Sequence, residues 1–224
     1  MTAEITVYCA LQSPWTYLGW QRFLDLAKAR GAKPVFRPIK MAPVFDASGG
    51  LPLAKRPKQR QAYRMMELKR WRDVLNVPLT LEPAFFPVDE TLAARMVIAL
   101  DEQGGDVPVS RREAPKIQDG GPDLRRDAAA GGDAGELSLA ILRAVWAEER
   151  NIADRATLLA IATEQGLDGE ALIAAADSQA TDDIYDAHTE AALKDGVFGV
   201  PTFKLGDELF WGQDRLDLLA RALG

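Results

Sequence analysis

The sequence predicts an α/β protein in which both chain ends contribute strands to one sheet and the stretch between them is mostly helical. Two observations carry that expectation. Near the N-terminal end Ile5, Val7 and Cys9 alternate with Thr6, Tyr8 and Ala10, which is the period of a strand. Near the C-terminal end Thr202-Phe203-Lys204-Leu205 and Glu208-Leu209-Phe210-Trp211 flank Gly206-Asp207, a two-residue hairpin signature.

The elements follow in order. A first strand starts near Glu4 and ends at the polar elbow Gln12-Ser13-Pro14. Proline is favoured in a first helical turn, where its missing N–H would be unpaired anyway, so Ser13 falls at or beside an N-cap and the helix runs to about Arg30. Gly31 stops it. Val35-Phe36-Arg37-Pro38-Ile39 makes a second short strand, and the chain opens β-α-β. Residues 40–60 are rich in Pro, Gly, Lys and Arg without apolar period and are expected to form a long functional loop. Helical patterns then recur near 61–76, 89–103, 136–150, 154–165, 168–177 and 179–195, with Asp154 and Asp168 at N-cap positions and Gly166 and Gly196 at helix ends. Residues 104–135 break the pattern. They are polar and Pro/Gly-marked, bounded by Gly-Gly-Asp at 104–106 and 131–133, and read as a poorly ordered loop insertion. A last helix is expected over about 214–223, with Asp214 as its N-cap. The order resembles a thioredoxin-like domain with a large α-helical insertion: residues 1–40 and 196–224 form the thioredoxin-like domain, and 41–195 the inserted helical domain.

Composition removes several function classes. The 224 residues include one cysteine, Cys9, and one histidine, His188. An intrachain disulfide, a Cys-x-x-Cys redox pair and a cysteine-rich zinc site are excluded, and a nucleophile–histidine pair would have to use His188. His188 falls within a helical pattern and reads as structural. Lys and Arg number 27 against 33 Asp and Glu, a net charge of −6, so nucleic acid is not an expected partner. With 47% hydrophobic and 27% charged residues the chain has the balance of an ordinary soluble globular protein. The longest apolar stretches, 96–100 and 137–147, are too short for a bilayer, which needs about 20 apolar residues. Glu4 stands where an export signal needs positive charge and then an apolar block, so a reduced cytoplasmic setting is expected.

Three segments carry chemistry. Ser13-Pro14-Trp15-Thr16-Tyr17-Leu18 lies at a strand-to-helix turn, where free N–H donors and a partial positive charge favour an anion and lower the pKa of a thiol brought there. Ser13 and Thr16 occupy the positions that hold Cys-x-x-Cys in thioredoxin-like redox proteins, so dithiol chemistry is impossible and a donating hydroxyl remains; read alone, Ser13 is simply a cap. Gly196-Val197-Phe198-Gly199-Val200-Pro201-Thr202-Phe203 offers an X-Pro bond suited to the cis form, which turns the Val200 backbone outward to pair with an extended peptide ligand; read alone, it is a turn before an edge strand. Phe210-Trp211-Gly212-Gln213-Asp214-Arg215-Leu216 reads alone as a cap with a surface arginine.

Taken together, Ser-Pro-aromatic-x-Tyr-Leu, Val-Phe-Gly-Val-Pro-Thr and Gly-x-Glu-x-Phe-Trp-Gly-x-Asp-Arg-Leu closely resemble the 2-hydroxychromene-2-carboxylate isomerases, which are similar to kappa-class glutathione transferases within the wider DsbA-like group. Arg70-Trp71, Val77-Pro78-Leu79 and Ala144-Val145-Trp146-Ala147-Glu148 extend the likeness into the helical block. Residues 104–133 depart from the family, as does Gly50, where members commonly carry Asn near the substrate. The resemblance implies glutathione as an unconsumed cofactor and an aromatic carboxylate as substrate, interconverted between a hydroxychromene carboxylate and an open-chain benzylidenepyruvate, in a cytoplasmic homodimer. It further implies Ser13 as the catalytic hydroxyl on the glutathione sulfur, Val200 and Pro201 at the cysteinyl part, and Gln213, Asp214 and Arg215 at the γ-glutamyl end. Trp15, Gly50 and Arg60 would face the substrate, Arg60 being one of the loop cations Lys55, Arg56, Lys58 and Arg60. A transferase that conjugates glutathione to electrophiles and a non-catalytic thioredoxin-like binding module are the alternatives. Trp15, Tyr17 and Trp211 read otherwise as core residues.

Overall fold

The computed structural model describes residues 2–102 and 132–224. Among the described residues a four-stranded sheet runs in the order β2-β1-β3-β4, from β1 (Glu4–Cys9), β2 (Lys33–Pro38), β3 (Thr202–Leu205) and β4 (Glu208–Trp211). The period-two pattern of β1 sorts its faces as expected: Ile5, Val7 and Cys9 enter the main core, while Tyr8 joins Ile39, Val44, Ala192 and Val197 on the other side. β1 is central. It pairs in parallel with β2 from Glu4↔Lys33 to Cys9↔Pro38, and antiparallel with β3 from Thr6↔Lys204 to Tyr8↔Thr202. β3 and β4 close the expected Gly206-Asp207 hairpin, ending at Thr202↔Trp211. This register brings the exits of β1, β2 and β4 and the entry of β3 to one end of the sheet.

The first helix, α1 (Pro14–Ala29), is capped by Ser13 and stops before Gly31, whose φ of 59° is the left-handed conformation that glycine adopts freely. Its buried face carries Trp20, 1% exposed, whose indole N–H donates to the Gly135 carbonyl at 2.8 Å, and Phe23, whose ring lies 4.9 Å from that of Phe203. A buried indole needs such an acceptor.

Between the two sheet-forming ends the chain is helical, through α2 (Met41–Ser48), α3 (Lys58–Leu75), α4 (Thr91–Glu102), α5 (Gly132–Trp146), α6 (Arg155–Glu164), α7 (Gly169–Ala176) and α8 (Gln179–Lys194). Asp154 and Asp168 cap α6 and α7 as expected, accepting from the N–H of Thr157 and Ala171 at 3.0 and 3.1 Å. The loop expected over 40–60 is instead partly helical. In α2 only Val44 is fully buried, too little apolar pattern to register in sequence, and Pro43 falls in the first turn, where proline is tolerated. A 3-10 turn, Leu53–Lys55, and the start of α3 at Lys58 shorten the loop further. The helix expected at 136–150 lies four residues earlier at both ends; Glu149 takes a left-handed φ of 52° just after it. The loop expected near 104–135 lies outside the described residues up to 131, and from Gly132 onward the chain is α5.

The last helix, α9 (Leu216–Ala222), also corrects an expectation. Asp214 is not its N-cap. It sits inside a 3-10 turn, Gln213–Arg215, and no side-chain capping bond is made at either start. The Asp214 carboxylate instead folds back over Gly212, whose φ is 105° and where an added Cβ would lie 2.5 Å from Oδ1.

Candidate active site

Because the strands run out together, three separate pieces of sequence meet at one end of the sheet: the elbow after β1, the Val200-Pro201 step into β3, and the Gly212–Arg215 turn after β4. The N–H of Gly212 donates to the Pro201 carbonyl at 2.9 Å, tying the last two. The Val200–Pro201 bond is cis, as expected, and so is Phe86–Pro87. Pro201 is buried, Val200 partly exposed, and among the described residues the Val200 N–H and carbonyl make no hydrogen bond.

At the elbow the half-buried Ser13 Oγ accepts from the Thr16 N–H at 3.3 Å. An oxygen engaged only as an acceptor keeps its own O–H to donate. Pro14 has no N–H, and the Trp15 N–H finds no acceptor among the described residues. The elbow therefore presents one hydroxyl and one free amide at the positive end of a helix dipole. Thr16 does not compete, since its residue is fully buried and its Oγ1 unpaired. Nor does the lone thiol: Cys9 is buried in β1, and burial pushes its pKa well up.

The elbow is held by a contact that sequence reasoning missed. Gln12, immediately before Ser13, donates its backbone N–H to Glu90 Oε2 at 2.9 Å and its Nε2 to Oε1 at 3.2 Å. Its own Oε1 accepts from the Val88 N–H at 3.2 Å and its carbonyl from the Trp146 indole at 3.2 Å. Glu90 is 7% exposed, and burial raises its pKa to about 7 against the pull of the Gln12 donors. Nothing in a lone Gln and a lone Glu so far apart in sequence announces this clasp.

A cleft of about 800 Å³ opens beside these segments. Trp15, Gly50, Arg60, Val200, Gln213, Asp214 and Arg215 all line it, so the fold gathers seven residues singled out from sequence; Ser13 and Pro201 are not among the lining residues, Ser13 standing two residues before Trp15 and Pro201 directly after Val200. Gln213 is 2% exposed and its Oε1 accepts from Arg22 Nη1 at 2.8 Å, so its side-chain oxygen faces α1. Asp214 and Arg215 pair loosely at 3.4 Å. At Gly50 a Cβ would meet Phe45 Cδ1 at 2.5 Å and Phe45 Cα at 3.3 Å: the ring of Phe45 occupies the place a side chain would need. Trp211 is not core but 51% exposed, packed edge-on against Phe198 at 4.6 Å on the cleft wall. Tyr17 is buried and donates to the Pro78 carbonyl at 2.7 Å.

Three arginines, Arg56, Arg60 and Arg64, face the same cleft. Arg56 spends its Nε on the Leu51 carbonyl at 2.7 Å. Arg64 was not singled out from sequence, although it lies one helical turn beyond Arg60, a spacing that puts both on one face. Lys55 and Lys58 do not line the cleft. His188, in α8, lies outside its lining, and burial, helped by Arg37, lowers its pKa to about 4.

Comparison with known proteins agrees with this architecture. A family model described as a DSBA-like thioredoxin domain matches residues 4–131 and 123–224. A 2-hydroxychromene-2-carboxylate isomerase of Pseudomonas putida is 30% identical over 223 residues, covering 98% of this chain and 94% of the relative. One of Sphingobium xenophagum is 28% identical, covering 98% and 97%. A solved structure of a selenomethionine 2-hydroxychromene-2-carboxylate isomerase superposes with a TM-score of 0.74 at 28% identity, covering 99% of this chain and 94% of the other. The chain belongs to the DsbA-like thioredoxin-domain proteins and, among them, to the 2-hydroxychromene-2-carboxylate isomerase family. No helix of the described residues is long and apolar enough to cross a membrane.

Proposed function

We propose that this chain is a glutathione-dependent isomerase of 2-hydroxychromene-2-carboxylate and trans-o-hydroxybenzylidenepyruvate, or a close aromatic analogue, acting in the cytoplasm as a homodimer. The observation that carries the reading is the Ser13 hydroxyl: it caps α1 as an acceptor, keeps a proton to donate, and stands where no thiol of the chain can act. When bound, glutathione supplies a thiolate that adds to a conjugated carbon and leaves again, so that a former double bond can rotate.

The chain's own residues divide the remaining work. A free thiol has a pKa near 8.5, so little is ionised at neutral pH; donation from Ser13 Oγ and the positive end of α1 favour the anion. The unpaired Val200 N–H and carbonyl, set by Pro201, take the cysteinyl unit as a neighbouring strand would. Asp214 receives the γ-glutamyl ammonium and Arg215 the carboxylate beside it, while Gln213, braced by Arg22, holds the turn in place. Trp15 walls the aromatic pocket, Gly50 admits the Phe45 ring against its backbone as a second wall, and the exposed Arg60 supplies a cation at the mouth for a carboxylate.

Two measurements test the reading. With glutathione sub-stoichiometric to a benzylidenepyruvate substrate, conversion runs to equilibrium and free thiol is undiminished; thiol loss equal to product formed would make the chain a conjugating transferase instead. Replacing Asp214 by Ala raises the glutathione dissociation constant about tenfold, the worth of one charge-assisted hydrogen bond. The melting temperature stays put, because Asp214 caps no helix. Unchanged affinity by calorimetry removes Asp214 from the glutamyl site.

A further inference from the structure

We propose that Arg64 reads a 2-oxo-carboxylate in this cleft, its guanidinium donating to a carboxylate oxygen and to the adjacent keto oxygen of an arylidene 2-oxo acid. The proposal deepens the function proposed above and rests on it for the substrate class, but not for its test.

Position is the first argument. Arg64 lines the cleft from α3, and its guanidinium lies 5.2 Å from the Phe86 ring centroid and 5.9 Å from that of Trp146. The Trp146 indole in turn donates to the carbonyl of Gln12, the residue before Ser13. One indole therefore links Arg64 to the residue before the elbow serine.

The second argument is an unanswered charge. Among the described residues no carboxylate lies within 4.0 Å of Arg64, and its one polar contact is Met65 Sδ at 3.7 Å. Glu67, the nearest acid on the helix, is taken by Arg70. Aromatic faces stabilise a cation but leave its in-plane N–H donors unfilled. None of those nitrogens is a buried atom left without a partner, and Arg64 is a lining residue of the cleft. Burial, with the Arg56 charge behind it, pushes the Arg64 pKa down to about 10, the direction expected of a cation placed for an anion that arrives from outside.

Shape is the third. A guanidinium presents parallel N–H donors in one plane and prefers two oxygens held side by side. The carboxylate and keto oxygens of a 2-oxo acid are such a pair. Donation to the keto oxygen also draws electrons from the conjugated double bond, the polarisation that makes the distal carbon electrophilic.

Equilibrium binding without glutathione, read by quenching of tryptophan fluorescence, tests this with three ligands: o-hydroxybenzylidenepyruvate, o-hydroxycinnamate, which lacks the keto group, and o-hydroxybenzylideneacetone, which lacks the carboxylate. The parent binds the 2-oxo acid at least about tenfold more tightly than the ketone, with the cinnamate between. Arg64→Met brings the three within about twofold of one another. Arg64→Lys, which keeps the charge and the apolar stem, still prefers acids to the ketone but loses the advantage of the 2-oxo acid over the cinnamate. Equal binding of acid and ketone by the parent, a preference surviving in Arg64→Met, or a full 2-oxo preference in Arg64→Lys overturns the assignment. Glutathione binding is measured separately; its absence beside an intact 2-oxo preference would overturn the isomerase reading and support Arg64.

Discussion

Replacing Ser13 by Ala lowers kcat/KM about 100-fold or more, the usual cost of removing one donor aimed at a developing or resident anion, while glutathione affinity changes little. The asymmetry follows from the geometry. In the proposed complex the tripeptide is held along its cysteinyl backbone by Val200 and at its γ-glutamyl end by Asp214, whereas Ser13 meets the sulfur alone, so its loss should fall on ionisation and not on capture. Absorbance of bound thiolate across pH reads this directly: the apparent pKa of bound glutathione rises in Ser13→Ala. The variant also loses the acceptor for the Thr16 N–H, at a cost of about 1 kcal/mol in stability, and urea unfolding separates that loss from catalysis. An apparent pKa identical in variant and parent would take the sulfur away from Ser13.

The clasp at Glu90 gives the second large effect. Burial raises the folded-state pKa of Glu90 from an ordinary value near 4.5 to about 7. Between those values the folded chain holds a proton that the unfolded chain has released, so stability falls as pH rises through the window. The full difference is about 3 kcal/mol. Asp101, raised to about 6 by burial and by Glu102, acts in the same direction, whereas His188, lowered to about 4, contributes stability above its ordinary value of 6.5 that is lost as pH falls. The comparison of parent with Glu90→Gln cancels both. From pH 4.5 to 7.5 the parent loses about 3 kcal/mol relative to the variant; urea titrations at the two pH values measure it, and parallel pH dependences would show that Glu90 ionises normally.

The sheet and the elbow were legible because their signals are local. Alternation over six residues marks β1, and Pro14 after Ser13 marks the start of α1. That the elbow, the Val200-Pro201 step and the Gly212 turn come together follows from strand register, which the order of the segments already implied. What escaped was either short or long-range. α2 buries one residue and has no pattern to read. Asp214 followed the spacing of a cap, yet Gly212 turns the chain so that its carboxylate folds backward. The Gln12–Glu90 clasp joins residues far apart in sequence through a buried carboxyl group that no local pattern announces. Arg64 was hidden by company: within a run of basic residues, nothing but packing against Phe86 and Trp146 distinguishes the one that points inward.

The strand order has a consequence for how the chain is made. β1 is central yet is synthesised first, and its antiparallel neighbour β3 belongs to residues 202–205. On the ribosome β1 can pair with β2 and receive α1, but one of its edges stays bare until nearly the whole helical block has emerged. An unpaired edge of alternating apolar residues is a template for other chains, so nascent and C-terminally truncated products, rather than the finished protein, are the species that need protection from aggregation. The same short hairpin whose flanks carry Val200 and Asp214 to the cleft is thus also the seal that closes the sheet.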